Sequence, residues 1–131
     1  MANALYAKGK EKILSGSINF PSDTIKASLL SSAYTPNLST DEFWSTISAN
    51  LLNSSQTLAS KSVTAGVFDA ADVTFTAVTS GSTAKAIVIW KDTSTPSTSP
   101  LLAYIDTITG FPLATNGGDI TVTWDNGSYK I

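Results

Sequence analysis

The carboxylates Asp69 and Asp72 lie three residues apart and are the first side chains to consider for a chemical role. Two neighbouring carboxylates can act as general acid and base, or they can bind calcium. The surrounding sequence has no Asp-rich, glycine-containing loop that would supply the further oxygen ligands of a calcium site. Aspartates before a strand commonly accept hydrogen bonds from backbone N–H groups in a turn. We therefore expect a turn here, and we predict neither a catalytic residue nor a metal site.

Three residue types that perform much of enzyme chemistry are absent from the sequence. The 131 residues include no histidine, no cysteine and no arginine. General-base imidazoles, thiolate nucleophiles and bidentate phosphate-binding groups are therefore missing, and a serine triad cannot form without histidine. Serine–lysine pairs and carboxylate pairs remain possible. The composition predicts a protein that is not an enzyme and that uses no cofactor.

Lys8, Lys10 and Lys12 form a local basic cluster that also contains Glu11. Such a cluster can contact an acidic partner or nucleic acid, although most short charge runs are only solvated. The formal net charge of -2 and the charged fraction of 14% are unlike the basic surface of a nucleic-acid-binding protein. No apolar run approaches the roughly 18 residues that cross a membrane. We expect neither nucleic acid nor a membrane as a partner.

The tryptophans Trp44, Trp90 and Trp124 are candidates either for the core or for an exposed binding surface. Trp90 and Trp124 are predicted on different strands, so they could lie side by side on one face and bind a sugar. Large aromatic side chains are more often buried than exposed. We favour core positions for all three, and an exposed aromatic face remains the alternative.

Alternating apolar and polar residues dominate the chain and predict strands. Residues 86–90 are almost continuously apolar, which is typical of a central buried strand. Asp125, Asn126 and Gly127 predict a tight hairpin turn into Tyr129 and Ile131. Further predicted strands cover residues 17–20, 24–31, 57–63, 72–78, 84–91, 101–105 and 119–124.

Short strands at this spacing predict a mainly β fold, namely an antiparallel sandwich or a jelly-roll-like domain. One short helix is expected within it. Ser39 and Glu42 have the spacing of a capping box, so this helix would begin at Ser39 or Thr40, carry Phe43, Trp44 and Ile47, and end near Asn50.

The N-terminal residues 1–16 are predicted to form an arm or a short helix, and residues 17–131 a single β-rich domain. The apolar side chains of this segment lie within helical reach of one another. Gly9 lowers the helix propensity, so an extended arm and a short helix both remain open.

Five segments carry an overall similarity to a known class of protein: Met1 to Lys12, Ser15 to Asn19, Tyr34 to Ser39, Gly66 to Val73 and Trp124 to Gly127. On these segments the chain resembles small virion proteins of tailed bacteriophages. The similarity extends over the whole chain and includes no catalytic signature. It implies a structural role, and a capsid decoration or cement protein is expected because proteins of that class are of this size, rich in β-structure and present in many copies.

The resemblance implies that the protein binds the outer surface of the phage head and stabilises contacts between subunits of the major capsid protein. Assembly in many copies favours a homo-dimer or a homo-trimer. Because the N-terminus lacks the apolar region of a secretory signal, we expect assembly in the host cytoplasm and a final location on the capsid surface. A neck or tail component, or a carbohydrate-binding β-module of the virion, remains the alternative.

An N-terminal arm that adds a strand to a neighbour's sheet would suit such a role. Its apolar and basic side chains would contact the partner. Deletion of residues 1–14 is then predicted to leave a folded domain that no longer binds particles. The predicted partner-binding residues are Leu5, Tyr6, Lys8, Lys10, Lys12, Ile13 and Leu14.

Overall fold

The computed structural model describes residues 3–124 of the chain. It is mainly β, with antiparallel sheets and few short helices, and is consistent with a β sandwich, so the predicted fold class is confirmed. The predicted hairpin at residues 125–131 lies outside the described residues. The strands are β1 (Ala4–Leu5), β2 (Ile25–Ser31), β3 (Gln56–Thr57), β4 (Ser62–Thr64), β5 (Val67–Asp69), β6 (Val73–Phe75), β7 (Thr83–Lys91), β8 (Leu101–Ile105), β9 (Leu113–Ala114) and β10 (Ile120–Val122).

Within residues 3–124, four short helical segments accompany the strands. Two are α-helices, and two are single 3₁₀ turns. None of the helices in residues 3–124 is long and apolar enough to cross a bilayer. The α-helices are α1 (Ala7–Leu14) and α2 (Trp44–Ile47), and the 3₁₀ turns span Ser48–Asn50 and Pro96–Thr98.

The main sheet has the strand order β1-β8-β7-β2-β3, and β9 pairs with the beginning of β7. Strand β7 lies at its centre and pairs with β2 from Ile25↔Lys91 onward and with β8 from Ile87↔Ile105 onward, both antiparallel. Two smaller antiparallel pairs, β6–β10 and β4–β5, form separate two-stranded sheets. The apolar run at residues 86–90 is therefore the central strand that its composition predicts.

Both faces of the main sheet are covered, because successive side chains of a strand point to opposite faces. One face, with Ile87 and Ile89 of β7, packs against Val73 and Phe75 of β6 and the apolar residues of β10. The other face, with Val88 and Trp90, packs against α2 and residue Tyr34. Burial on both sides explains why β7 is nearly continuously apolar.

The predicted helix at residues 39–50 begins later than the capping-box prediction, at Trp44. Phe43 before it is extended and forms a bridge to Pro100, and the carbonyl of Glu42 accepts a hydrogen bond from the N–H of Leu101 at 2.8 Å. Backbone pairing with the start of β8 thus replaces the first helical turn. The prediction of a Ser39–Glu42 capping box is therefore wrong, because these backbone contacts replace the first turn of the helix.

Two predicted strands also differ in the structure. Residues 17–20 form no strand, although Ile18 and Phe20 are buried. The predicted strand at residues 57–63 is divided into β3 and β4. Leu58 enters the core between them, and Ser60 has a positive φ of 53° that interrupts the extended backbone.

Helix α1 crosses β8 at Gly9, where the two backbones approach closely. A Cβ atom on Gly9 would lie 2.5 Å from the carbonyl oxygen of Leu101 and 3.1 Å from the Cα of Leu102. Both contacts are with backbone, so a side chain here would push the helix off the sheet. Gly9 therefore permits this packing although glycine weakens the helix itself.

We expect Gly9→Ala to lower the free energy of unfolding by about 1–3 kcal/mol, the usual cost of overpacking. Chemical denaturation monitored by tryptophan fluorescence measures it. Lys10→Ala, one residue away on the exposed side of α1, is the control and should change the stability by less than about 0.5 kcal/mol. Equal midpoints for the two variants would contradict the close approach.

Candidate functional site

A cleft of about 710 Å³ opens between the main sheet and the β6–β10 pair. The floor comes from β1, β7 and β8, and one wall comes from β10 and the residues around it. A loop that follows β8 forms the other side. The lining is largely apolar, as in protein and ligand sites generally. It includes Leu5, Phe20, Phe68, Ile89, Ile105, Ile108, Phe111, Leu113, Ile120, Val122 and Trp124.

Trp124 is held at the edge of this cleft by the turn before β6. Its indole N–H donates to the carbonyl of Ala71 at 3.0 Å, and its backbone N–H donates to Oδ1 of Asp72 at 2.9 Å. Asp72 thus accepts a backbone N–H from a residue 52 positions away in the chain, which is a tertiary contact and differs from the local turn role expected for it. The ring stays partly exposed beside the apolar lining.

The loop between β8 and β9 is fixed at its start by the N-terminal residues. The side-chain oxygen of Asn3 accepts hydrogen bonds from the N–H groups of Asp106 and Thr107 at 3.0 and 2.9 Å. The carboxylate of Asp106 in turn lies against the buried hydroxyl of Tyr104. Burial, and then the negative charge of Asp106, raise the pKa of Tyr104 to about 12. The loop that carries Phe111 is therefore attached to the main sheet at its base.

The charged side chains that line the cleft in the described part of the chain are Asp69 and Asp119. Oδ1 of Asp69 accepts the N–H of Ala70, and Oδ1 of Asp119 accepts the N–H of Ala77, both at 2.8 Å. Within residues 3–124, no three acidic side chains gather as a metal site would require. The arrangement offers apolar contact and a weak negative charge.

The predicted partner-binding residues are spread over three environments. Leu5 lies on the cleft floor and Ile13 packs partly against the same core. Tyr6 is completely buried in the core on the opposite face of the sheet. Leu14 is 87% exposed at the end of α1. The segment is therefore joined to the main sheet through β1 and Tyr6, and it is not a projecting arm.

Tyr6 belongs to a buried hydrogen-bond network. Its hydroxyl lies 2.8 Å from that of Tyr34, which donates to Oδ2 of Asp41 at 2.7 Å. The same carboxylate oxygen accepts the N–H of Asn37. Burial raises the pKa of both Tyr6 and Tyr34, and the nearby charge of Asp41 acts in the same direction. Both hydroxyls therefore stay protonated at neutral pH and hold the N-terminus to the loop before α2.

Two of the three N-terminal lysines are paired with acidic residues. Nζ of Lys8 lies 3.3 Å from Glu11 on the surface of α1. Nζ of Lys12 lies 2.9 Å from Glu42 and 5.3 Å from the ring centre of Phe43. The side chain of Lys10 is exposed. The cluster consequently presents less positive charge than the sequence suggests.

The alternative interpretation of Trp90 and Trp124 as a sugar-binding pair does not fit the structure. Trp90 is buried on the face opposite to the cleft and stacks on Trp44, with ring centres 4.5 Å apart and an interplanar angle of 3°. Its indole N–H donates to the hydroxyl of Ser28 at 2.7 Å. Core positions are therefore confirmed for Trp44 and Trp90, whereas Trp124 lies at the cleft on the other side of the sheet.

Two further ion pairs lie at the ends of β2 and β7, at one end of the sheet. Lys26 lies 2.9 Å from Asp92, and Lys91 lies 3.0 Å from Asp23. The hydrogen bond from Lys26 lowers the pKa of Asp92. Burial by itself would raise the pKa of Asp23. The hydrogen bond from the N–H of Asn19 and the nearby Lys91 ammonium have the larger combined effect, so the pKa of Asp23 is also lowered. These carboxylates hold strand ends together, which is a structural use.

The cleft residues that sequence reasoning missed come from a turn-rich stretch. Ile108, Phe111 and Leu113 lie among glycine, threonine and proline, which indicate turns and conceal the shared apolar surface. The sequence feature that could have indicated these cleft residues is the presence of large apolar side chains within a turn-rich region. Their proximity to Phe20 and Phe68, whose rings are 4.4 Å apart, depends on tertiary structure. No protein-family model matches the chain, and no curated protein is significantly similar to it.

Proposed function

We propose that the protein is a structural component of a tailed-bacteriophage particle, and within that class a decoration protein. It binds the outer surface of the head and stabilises contacts between subunits of the major capsid protein. The observation that carries the proposal is the open apolar cleft, whose lining offers contact area without reactive groups.

The energetics of the cleft favour a protein partner. Leu113 keeps 38% of its surface exposed at the cleft, and Trp124 is also partly exposed there. Covering apolar surface contributes roughly 25 cal/mol per Å², and tryptophan is enriched among residues that dominate binding energy. A partner that fills the cleft removes this surface from water.

The rest of the molecule is suited to passive support. Most of the ionisable groups described above are ion-paired, accept hydrogen bonds from backbone amides or lie buried as neutral hydroxyls. Such a set of contacts holds strand ends and loops in place, which supports a structural role. This arrangement is what a component that fills joints between subunits needs.

Co-sedimentation tests the proposal. Heads and tails of the phage that encodes the chain are prepared without this protein, and the purified full chain is added to each. We expect saturable sedimentation with heads at many copies per particle, because a decoration site repeats with the capsid lattice. Sedimentation with tails alone would assign a tail role, and binding to neither would refute the virion proposal.

Two exposed apolar residues provide a matched pair of variants. Leu113→Asp places a charge at the cleft, whereas Val63→Asp places one on the β4–β5 hairpin, where Val63 is 51% exposed. We expect the first to weaken binding to heads at least about tenfold, since a desolvated unpaired charge is costly. The second should bind as the unchanged protein does. Equal binding by both variants would place the contact outside the cleft.

A further inference from the structure

We infer that the cleft receives an extended segment of the partner protein, which pairs as an additional strand with the edge of β10 that faces away from β6. This inference rests on the proposed function, because it specifies how the partner of that same cleft is recognised. The segment carries apolar side chains at alternate positions and a basic residue near one end.

The hydrogen bonds around β10 identify which of its edges faces away from β6. Val78 donates its N–H to the carbonyl of Gly118 at 3.0 Å, and the N–H of Trp124 reaches the carboxylate of Asp72. Backbone groups of alternate residues in a strand point to the same side. Even-numbered residues from Gly118 to Trp124 therefore point toward β6, and the N–H groups of Thr121 and Thr123 point to the opposite side.

That opposite side borders the cleft. Thr121 and Thr123 both belong to the lining, and no strand of residues 3–124 other than β6 pairs with β10. Unpaired strand edges are templates for an extended chain from another protein. The edge therefore supplies main-chain hydrogen bonds where the cleft supplies apolar surface.

The side chains of β10 define the pattern that an added strand must match. Ile120 and Val122 are buried toward the core, and Thr121 between them is exposed. Side chains of paired strands alternate in register, so every second side chain of an added strand would enter the cleft beside Ile120 and Val122. A volume of about 710 Å³ accommodates several apolar side chains and is larger than one such residue needs.

The negative charge of the cleft lining predicts a basic residue in the partner segment. Asp69 and Asp119 are the charged side chains in the described lining, and both are acidic. Each uses one carboxylate oxygen for a backbone N–H, which leaves a second oxygen for a cation. A lysine or arginine at the end of the segment would complement them, and an acidic residue there would be repelled.

Hydrogen–deuterium exchange on the full chain tests the strand pairing. The protein is labelled free and bound to heads that lack it, and peptides covering residues 118–124 are analysed by mass spectrometry. We expect fast exchange at Thr121 and Thr123 in the free protein, with at least about tenfold slowing on the heads. The amides of Ser62–Thr64 in β4 serve as an internal control and should not change.

Thr121 and Thr74 provide matched variants because they are opposite residues in the β6–β10 pair, with hydroxyl oxygens 3.0 Å apart. Thr121→Pro removes an N–H from the cleft edge, and Thr74→Pro removes one from the other edge of the same pair. Both lose the same hydroxyl contact. We expect Thr121→Pro to bind heads about tenfold more weakly and Thr74→Pro to bind normally. Thermal unfolding of the two proline variants verifies that both fold.

The outcomes separate the inference from the proposed function. Binding to heads with unchanged exchange at Thr121 and Thr123 would overturn the strand pairing and leave the function in place. Slow exchange at Thr121 and Thr123 in the free protein would also overturn it. If the exchange rate then depends on protein concentration, a second copy of the chain is the occupant. If the rate does not depend on concentration, the chain itself covers this edge. If the protein does not bind heads, a synthetic heptapeptide, Lys-Thr-Val-Thr-Ile-Thr-Val, replaces them in the exchange experiment. If the peptide does not slow exchange at Thr121 and Thr123, the inference is overturned.

Discussion

Deletion of residues 1–14 is expected to unfold the protein. The deletion removes β1 from the edge of the main sheet and removes Tyr6, which is completely buried. Truncation of a buried aromatic side chain alone costs about 3–5 kcal/mol, and native domains are stable by only about 5–15 kcal/mol. Circular dichroism and urea denaturation of the shortened chain would show loss of the cooperative transition.

Single substitutions locate the effect within the deleted segment. Tyr6→Ala should cost about 3–5 kcal/mol, whereas Tyr6→Phe should cost about 1 kcal/mol because it loses only the hydrogen bond to Tyr34. Leu14→Ser, at a position that is 87% exposed, is the control and should be nearly neutral. A shortened chain that unfolds cooperatively, within about 1 kcal/mol of the full chain, would restore the interpretation of this segment as a separate arm.

The expected unfolding of the chain that lacks residues 1–14 affects how binding experiments are interpreted. The sequence suggests that a shortened chain which fails to bind particles has lost a binding arm. The burial of Tyr6 provides another cause, namely that the domain itself has lost its fold. Binding by variants of the N-terminal segment is therefore informative only for those whose stability is intact, such as Leu14→Ser.

Trp90→Ala is expected to lower the free energy of unfolding by about 3–5 kcal/mol, as truncation of a buried tryptophan usually does. The substitution removes the stack on Trp44 and leaves the hydroxyl of Ser28 without its indole donor. Ser28 also lies 2.5 Å from the hydroxyl of Ser55, so part of this network remains. Urea denaturation followed by circular dichroism measures the loss.

A double-mutant cycle isolates the stack itself. Trp44→Ala and the double variant complete the cycle with Trp90→Ala, and we expect a coupling energy of about 0.5–1.5 kcal/mol. Trp124→Phe is the comparison from the other face of the sheet, where the indole is only partly buried. Additive losses for Trp44 and Trp90 would show that the parallel rings contribute burial but no direct interaction.

Features that depend on local pattern could be predicted from the sequence. Strands β2, β7 and β8 follow runs of apolar and alternating residues, and all three are found within a residue or so of the predicted bounds. The burial of Trp44 also follows from residue type. These predictions succeed because hydrophobic burial is governed by the side chain and its strand periodicity.

Features that depend on distant partners could not be predicted. The start of α2 is decided by the hydrogen bond between Glu42 and Leu101, residues far apart in sequence. The cleft brings Phe20 and Phe68 near Phe111 and Trp124, and no local pattern relates them. Tyr6 resembles an exposed anchor in sequence because its partner Tyr34 is not adjacent. Tertiary contacts override local preference at each of these positions.

The main sheet ends on both sides in very short strands, because β1 and β3 contain two residues each. A two-residue edge offers few unpaired backbone groups to another sheet, and short edges are one way in which natural proteins avoid aggregation. Edge-to-edge pairing of main sheets from two molecules is therefore disfavoured. We expect the protein to resist forming fibres through its largest sheet even in concentrated solution.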